Sequence, residues 1–373
     1  MSKKTEFLYL SEPDMIQAGV LDSARCVDVV GEVFRLMGQG DYLMGGHNGN
    51  EHGHLLIFPK ESPFPNMPVA GPDRRFTSMI AYLGGRFNIT GEKWYGSNTV
   101  NPGRGLPRSI HLITLNDTDT CEPFAVMQGN LVSAVRTGAV PGLATRHLAR
   151  KDSKVCSLVG AGPINKAGFK AIASQVKTLE EFVMYDLYPE KSQAFIEWAE
   201  KETGVKGRMA SSLEECVRAG DIINLATSGA KPVYIENAWI PKGAVVILSG
   251  RARFDDEALL SCDVVYDNIG MQQAYKAEQA HFDSIEEFYS KMKGGQFFKL
   301  IDEGKLPALE DSLTLCKMVT GEQQGRTSED QRIIYLTAGM STFDVAWSYE
   351  CYCRAKEMGL GVTLPLWDEA YWF

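Results

Sequence analysis

An apolar run, Val155-Cys156-Ser157-Leu158-Val159, leads into Gly160-Ala161-Gly162-Pro163-Ile164, and further on a second apolar run, Val183-Met184-Tyr185, is followed at once by Asp186. A buried strand, a glycine-pinched turn, a helix, a second strand and then an acid is the layout that grips a dinucleotide. Gly160 permits the tight turn. Gly162 lets backbone N–H groups approach a diphosphate at the helix N-terminus. Asp186 accepts hydrogen bonds from the two hydroxyls of the adenosine ribose, which selects NAD and repels the extra phosphate of NADP. Asn165 stands where a third small residue is usual.

A lysine falls inside the strand-like run Ile89-Thr90-Gly91-Glu92-Lys93-Trp94-Tyr95. With a period of two, Lys93 shares a face with Gly91 and Tyr95, and Trp94 points away. On a solvated face such a lysine is ordinary; in a pocket it polarises a carbonyl or accepts a proton. Arg136 stands alone in the small, apolar segment Val132-Ser133-Ala134-Val135-Arg136-Thr137-Gly138-Ala139. Burying it calls for an anion, either a structural carboxylate or a bound phosphate or substrate carboxylate. Asp73-Arg74-Arg75 opens another strand, where either arginine is placed to clamp a carboxylate. Thr227 and Ser228 follow the strand-like run 222–226, at the edge where open parallel sheets hold ligands. A hydroxyl there also makes a simple turn. His52 and His54 lie in a Gly/Asn/His-rich loop without a third ligand nearby, and the eight cysteines are scattered with no C-x-x-C spacing, so no metal site is expected.

The elements that must carry these residues fall into two patterns. Residues 11–37 have helical spacing, and Gly38 to Asp73 is a long Gly/Asn/Pro-rich irregular segment of the kind that shapes binding sites. Strand-like runs follow at 76–82, 89–95, 109–115 and 124–127, predicting an antiparallel sheet. A helix over 131–150 then introduces alternating strand and helix signals, the mark of a parallel sheet. The last part holds a strand at 333–336 and a long helix at 343–358. The fold class expected is α/β: a Rossmann-type doubly wound parallel sheet inserted in a discontinuous α+β substrate and dimerisation domain. The boundaries are 1–129 and 330–373 for that outer domain and 130–329 for the NAD-binding domain. A length of 373 residues suits two domains, and a net charge of -9 argues against a nucleic-acid or anionic-membrane surface. With no apolar leader at the N-terminus and no run approaching about 18 apolar residues, a cytoplasmic protein is expected. The aromatic end, Trp367, Tyr371, Trp372 and Phe373, is expected to pack on a neighbour or cap a groove, and a homodimer built on the first sheet is expected.

Taken in order, Gly91-Glu92-Lys93, Gly105-Leu106-Pro107, Arg136-Thr137-Gly138-Ala139, Gly160-Ala161-Gly162, Gly325-Arg326-Thr327, Thr337-Ala338-Gly339 and Phe343-Asp344-Val345-Ala346 resemble the ornithine cyclodeaminase/mu-crystallin family over most of the chain. The resemblance implies NAD(H) or NADP(H) as cofactor and an amino acid, imino acid, keto acid or related amine as substrate. It makes Lys93 the active-site lysine and Arg136 a contact to both cofactor and substrate. It sets Pro163 and Ile164 over the diphosphate, Asp186 on the ribose, and Thr227, Leu248, Thr337 and Ala338 along the cofactor. The first-domain carboxylate clamp falls on Arg75, which is nearer the strand core than Arg74. Two departures follow. Arg108 stands where a cofactor-contacting threonine is usual. Arg251 stands where cyclodeaminases carry the aspartate that handles protons and the distal amine of ornithine, and an arginine there repels an ammonium and attracts a carboxylate. An NAD-dependent amino or imino acid oxidoreductase is therefore the expected function, with Lys93 and Arg251 at the chemistry. A cyclodeaminase-like ammonia lyase and a non-catalytic nucleotide-binding subunit are the alternatives.

Overall fold

The computed structural model describes residues 3–228 and 231–372. The chain forms two units: one from the chain up to Asp22, Gly40–Ser133 and the chain from Met340, the other from Ser23–Gln39 and Ala134–Gly339.

The first unit is built on a sheet of eight strands. Its order is Val362–Trp367, Thr5–Leu10, Pro123–Gln128, Ser109–Asp117, Ile89–Ser97, Arg75–Leu83 and Tyr42–Met44, with His54–Ile57 also paired to Arg75–Leu83. The sheet is mixed where an antiparallel one was expected. Thr5–Leu10 runs parallel to Pro123–Gln128 and antiparallel to Val362–Trp367. The central strands alternate as a half-buried sheet should. Thr77, Met79 and Ala81 are buried, as are Ile89, Lys93 and Tyr95, while Phe76, Ile80 and Trp94 face outward. Helix Ser341–Glu357 covers the inner face. Its close approach depends on Gly91, where a Cβ would lie 2.9 Å from Val345 Cγ2 and 2.9 Å from the Thr114 carbonyl oxygen.

The second unit carries a fully parallel sheet in the order Lys206–Met209, Glu181–Tyr185, Val155–Val159, Ile222–Leu225, Val245–Leu248, Ile333–Leu336, Asp263–Tyr266 and Leu313–Thr314. This is a Rossmann-type doubly wound sheet, and its strand order reverses between Val155–Val159 and Ile222–Leu225. Apart from Val155 at the start of its strand, the central strands are buried end to end, as continuous apolar runs predict. Helix Asn130–Leu148 approaches helix Pro163–Gln175 closely through Gly138, where a Cβ would fall 2.3 Å from the Ala167 carbonyl carbon.

The expected boundaries need three corrections. Residues 11–37 form two helices, Glu12–Gln17 and Ser23–Gln39, and the second belongs with the parallel sheet unit. Its apolar stripe (Cys26, Val27, Val30, Val33, Phe34) is buried, and it packs on helices Pro163–Gln175 and Leu315–Thr320. The first boundary, expected at 129/130, falls inside helix Asn130–Leu148, after Ser133. Strand Ile333–Leu336 pairs on both sides within the parallel sheet, so the last segment of the first unit starts at Met340 rather than at 330. In the tail, Trp367 donates from Nε1 to the Lys3 carbonyl at 3.1 Å. Tyr371 and Trp372 touch each other edge to face and are otherwise 90% and 88% exposed, so they cap no groove in their own unit. Phe373 lies outside the described residues.

Candidate active site

The glycine turn has the expected form. Gly160 has φ +97°, and a Cβ there would sit 2.8 Å from the Ala226 carbonyl oxygen, so only glycine is accommodated. Gly162 is the N-cap of helix Pro163–Gln175, and a Cβ on it would meet nothing within 4 Å. The helix N-terminus, begun by Pro163 and Ile164, therefore opens onto free space, as an anion site requires. Asp186 accepts from the Ala161 N–H at 2.8 Å and from the Tyr188 N–H at 3.0 Å, which fastens the turn to the end of the second strand. Each carboxylate oxygen keeps a further lone pair for a ligand hydroxyl. Gly160, Gly162, Pro163 and Asp186 line a pocket of about 440 Å³ with Leu187, Tyr188 and Thr227. Its size and donors fit the adenosine diphosphate part of a dinucleotide.

Asn165, in place of the usual small residue, is fully buried and holds the turn from beneath. Its amide donates to the Val159 and Gly160 carbonyls at 3.0 and 2.7 Å, and its oxygen accepts from Asn224 at 2.7 Å. Asn224 in turn accepts from the Ser249 hydroxyl at 2.7 Å. The chain of amides ties together the ends of three neighbouring strands. A polar residue among apolar ones at the start of a helix was the available sign of it.

Beyond the switch point, Thr337 donates to the Leu248 carbonyl at 3.0 Å, and the Ala338 N–H is held by Asp267. Asp267 is fully buried and also accepts from the Asn268 N–H at 2.8 Å and Gln272 Nε2 at 3.3 Å. Burial pushes its carboxyl up to about 6, against the pull of those N–H donors. Nothing in the local sequence marked Asp267. It follows the strand Asp263–Tyr266, where a capping acid looks like any turn residue. The Thr227 hydroxyl donates to the Arg251 carbonyl at 3.3 Å, joining the two strand-end loops, and Arg251 itself is exposed. Arg136 is buried on helix Asn130–Leu148.

In the first unit, Lys93 is 3% exposed, which excludes the solvated reading of this lysine. Its Nζ lies 2.8 Å from Asp344 Oδ2, with Asp344 fully buried in the first turn of helix Ser341–Glu357, and 3.5 Å from Ser133 Oγ. Asp344 appeared in the sequence only within a family motif; an acid on an otherwise apolar helical face was its physical sign. Register puts Arg75, Tyr95 and Lys93 on one face of the sheet. The Tyr95 ring has Lys93 Nζ 5.6 Å away on one side and Arg75 Cζ 5.9 Å away, with His111 packed edge to face at 4.8 Å. His111 went unremarked in the sequence because it reads as one residue of a strand. Arg74 packs elsewhere, with Cζ 5.4 Å from the Phe58 ring. Arg75 and Arg108 both pair with Asp73, Arg108 at 2.6 Å, and Ser97 also donates to that carboxylate. A substrate carboxylate reaching Arg75 therefore competes with Asp73.

A buried lysine paired to a carboxylate can hold and release a proton, an arginine on the same face can orient an acid group, and a dinucleotide cradle stands in the other unit.

The model of the Ornithine cyclodeaminase/mu-crystallin family matches residues 21–359. An N-((2S)-2-amino-2-carboxyethyl)-L-glutamate dehydrogenase of Staphylococcus aureus is 28% identical over 97% of this chain and 99% of its own length. An alanine dehydrogenase of Archaeoglobus fulgidus is 28% identical over 76% of this chain and 81% of its own. Among solved structures, the Thermococcus litoralis Delta(1)-pyrroline-2-carboxylate reductase in complex with NADH and L-proline superposes with a TM-score of 0.77 at 23% identity, covering 95% of this chain and 99% of that one. With its family model matched over nearly the whole length, the chain belongs to the ornithine cyclodeaminase/mu-crystallin family.

Proposed function

We propose that this protein is an NAD-dependent oxidoreductase that interconverts an amino acid or related amine with the corresponding imino or keto acid. The observation that carries it is the open glycine turn fastened by Asp186, which fits a dinucleotide with two free ribose hydroxyls. NAD(H), when bound, supplies or removes the hydride. Gly160, Gly162, Pro163, Ile164, Asp186 and Thr227 are assigned to its adenosine and diphosphate, and Leu248, Thr337 and Ala338 to its nicotinamide side. In the reductive direction a keto acid and an amine lose water to give a C=N bond; the carbon then takes the hydride and the nitrogen takes a proton. Lys93 is assigned that proton, with Asp344 holding its ammonium form in place. Arg75 and Arg136 are assigned the carboxylate, and Arg108 keeps Asp73 occupied.

The relatives named above as dehydrogenases and a reductase of amino and imino acids support this reading. We also propose a homodimer formed on the outer face of the first unit's sheet, where Phe76, Ile80, Trp94, Ile110 and Leu112 are all exposed. One solved relative is itself described as an alanine dehydrogenase dimer.

Calorimetric titration with NADH and NADPH, followed by NADH oxidation against a panel of keto acids with ammonium or methylamine, tests the function. Binding of NADH in preference to NADPH and consumption with at least one pair are expected. Release of ammonia from ornithine at constant NADH absorbance would move the assignment to the lyase reading.

A further inference from the structure

Three cations converge on one small cavity of the parallel-sheet unit. Arg251, Arg253 and Lys293 line it, together with Gly294 and Gly295 at the N-terminus of helix Gly295–Asp302. The cavity holds about 30 Å³, room for one carboxylate-sized group and not for a whole substrate. In a chain of net charge -9 this is a local exception. Arg253 donates to the Tyr289 and Ser290 carbonyls, and Arg251 to the Lys291 carbonyl at 3.3 Å. Those contacts place the guanidinium groups at the C-terminal end of helix Ile285–Lys291, whose partial negative charge offsets a part of theirs. The charge beside Arg253 is Arg251, a like charge. Lys293 feels Asp267, the acid that holds the Ala338 N–H, and burial lowers its pKa to about 8.

The cavity's position gives it a use. It is walled by Leu248 and Leu336, the last residues of two adjacent strands, immediately before Ser249 and Thr337. The glycine-turn pocket stands over strands Val155–Val159, Glu181–Tyr185 and Ile222–Leu225 of the same sheet. A dinucleotide laid from that pocket across the switch point brings its nicotinamide end to the strands carrying Leu248 and Leu336. Resting on the function proposed above, we infer that Arg251, Arg253 and Lys293 form a specificity site for a second acid group on the substrate, so that the preferred keto acid is a dicarboxylate. An ammonium group is disfavoured there by the same charges.

The test compares pyruvate, with one carboxylate, against oxaloacetate and 2-oxoglutarate, with two. Each is titrated into NAD-loaded protein by calorimetry and assayed with NADH and ammonium. The dicarboxylates are expected to bind about tenfold or more tighter than pyruvate, as charge-assisted hydrogen bonds allow. Arg253→Gln and Lys293→Gln should each collapse that ratio toward one, and Arg253→Lys should restore part of it, with far-ultraviolet circular dichroism serving as the check that the variants fold. Equal binding of pyruvate and the dicarboxylates, or a ratio untouched by both glutamine variants, overturns the inference. Failure of the parent reading looks different: the unaltered protein then shows no affinity for NADH, and the inference falls with it.

Discussion

At the residue scale, the Lys93–Asp344 pair is the feature with most at stake. Removing one member of a buried ion pair leaves the other uncompensated, at a cost of about 3–5 kcal/mol. Lys93→Met is therefore expected to lower the melting temperature and to reduce turnover by about a hundredfold or more, with calorimetric NADH affinity preserved. The period-two pattern set Lys93 on the face of Gly91 and Tyr95, and it lies there; its partner was out of reach because the pairing is tertiary, across 251 positions of sequence. Asp267 and Lys293 supply a pH signature. The folded carboxyl of Asp267 is raised from 3.8 to about 6, so its contribution to stability is full below pH 3.8 and is lost as pH rises through 6. Lys293 is depressed from 10.5 to about 8, so its contribution is full above pH 10.5 and is lost as pH falls through 8. Between those two values both groups are charged and attract each other. Asp267→Asn should flatten the stability profile between pH 4 and 6 relative to the unaltered protein, read by thermal melting at each pH.

At the element scale, the strand–turn–helix unit shows why some structure is legible and some is not. Continuous apolar runs bounded by turn residues identified the central parallel strands, because burial on both faces demands that composition. Gly160→Ala is expected to abolish NADH binding and to destabilise the unit, since its positive φ and the Ala226 carbonyl both exclude a side chain. Calorimetry and chemical denaturation read the two effects separately. The outer strands Thr5–Leu10 and Val362–Trp367 escaped detection for the opposite reason: partners far away in sequence, not local pattern, make them strands. The helices between Ile269 and Asp302 were equally silent, and with them the walls of the cationic cavity. Only Arg251 of that group stood out, through the aspartate it replaces.

At the scale of the whole molecule, the insertion of one unit within the other was legible from the switch in periodicity, whereas its borders were not, because helix Ser23–Gln39 and strand Ile333–Leu336 are assigned by what they pack against. The exposed apolar face of the first unit makes the proposed dimer testable: Trp94→Glu combined with Leu112→Glu should leave a monomer in light scattering where the unaltered protein is a dimer, with the far-ultraviolet circular dichroism unchanged. The split layout also dictates an order of events on the ribosome. Everything the nucleotide-binding unit needs has been synthesised by Gly339, but the sheet bearing Lys93 lacks its covering helix until Glu357 has emerged. At about 5–20 residues per second, the lysine waits on the order of tens of seconds for its counter-charge. Nascent chains from which Gly339 has emerged while Ser341–Glu357 is still inside the ribosome should therefore already display a protease-resistant nucleotide-binding core, while the half-made outer sheet, its apolar side bare, is the segment that chaperones must shield.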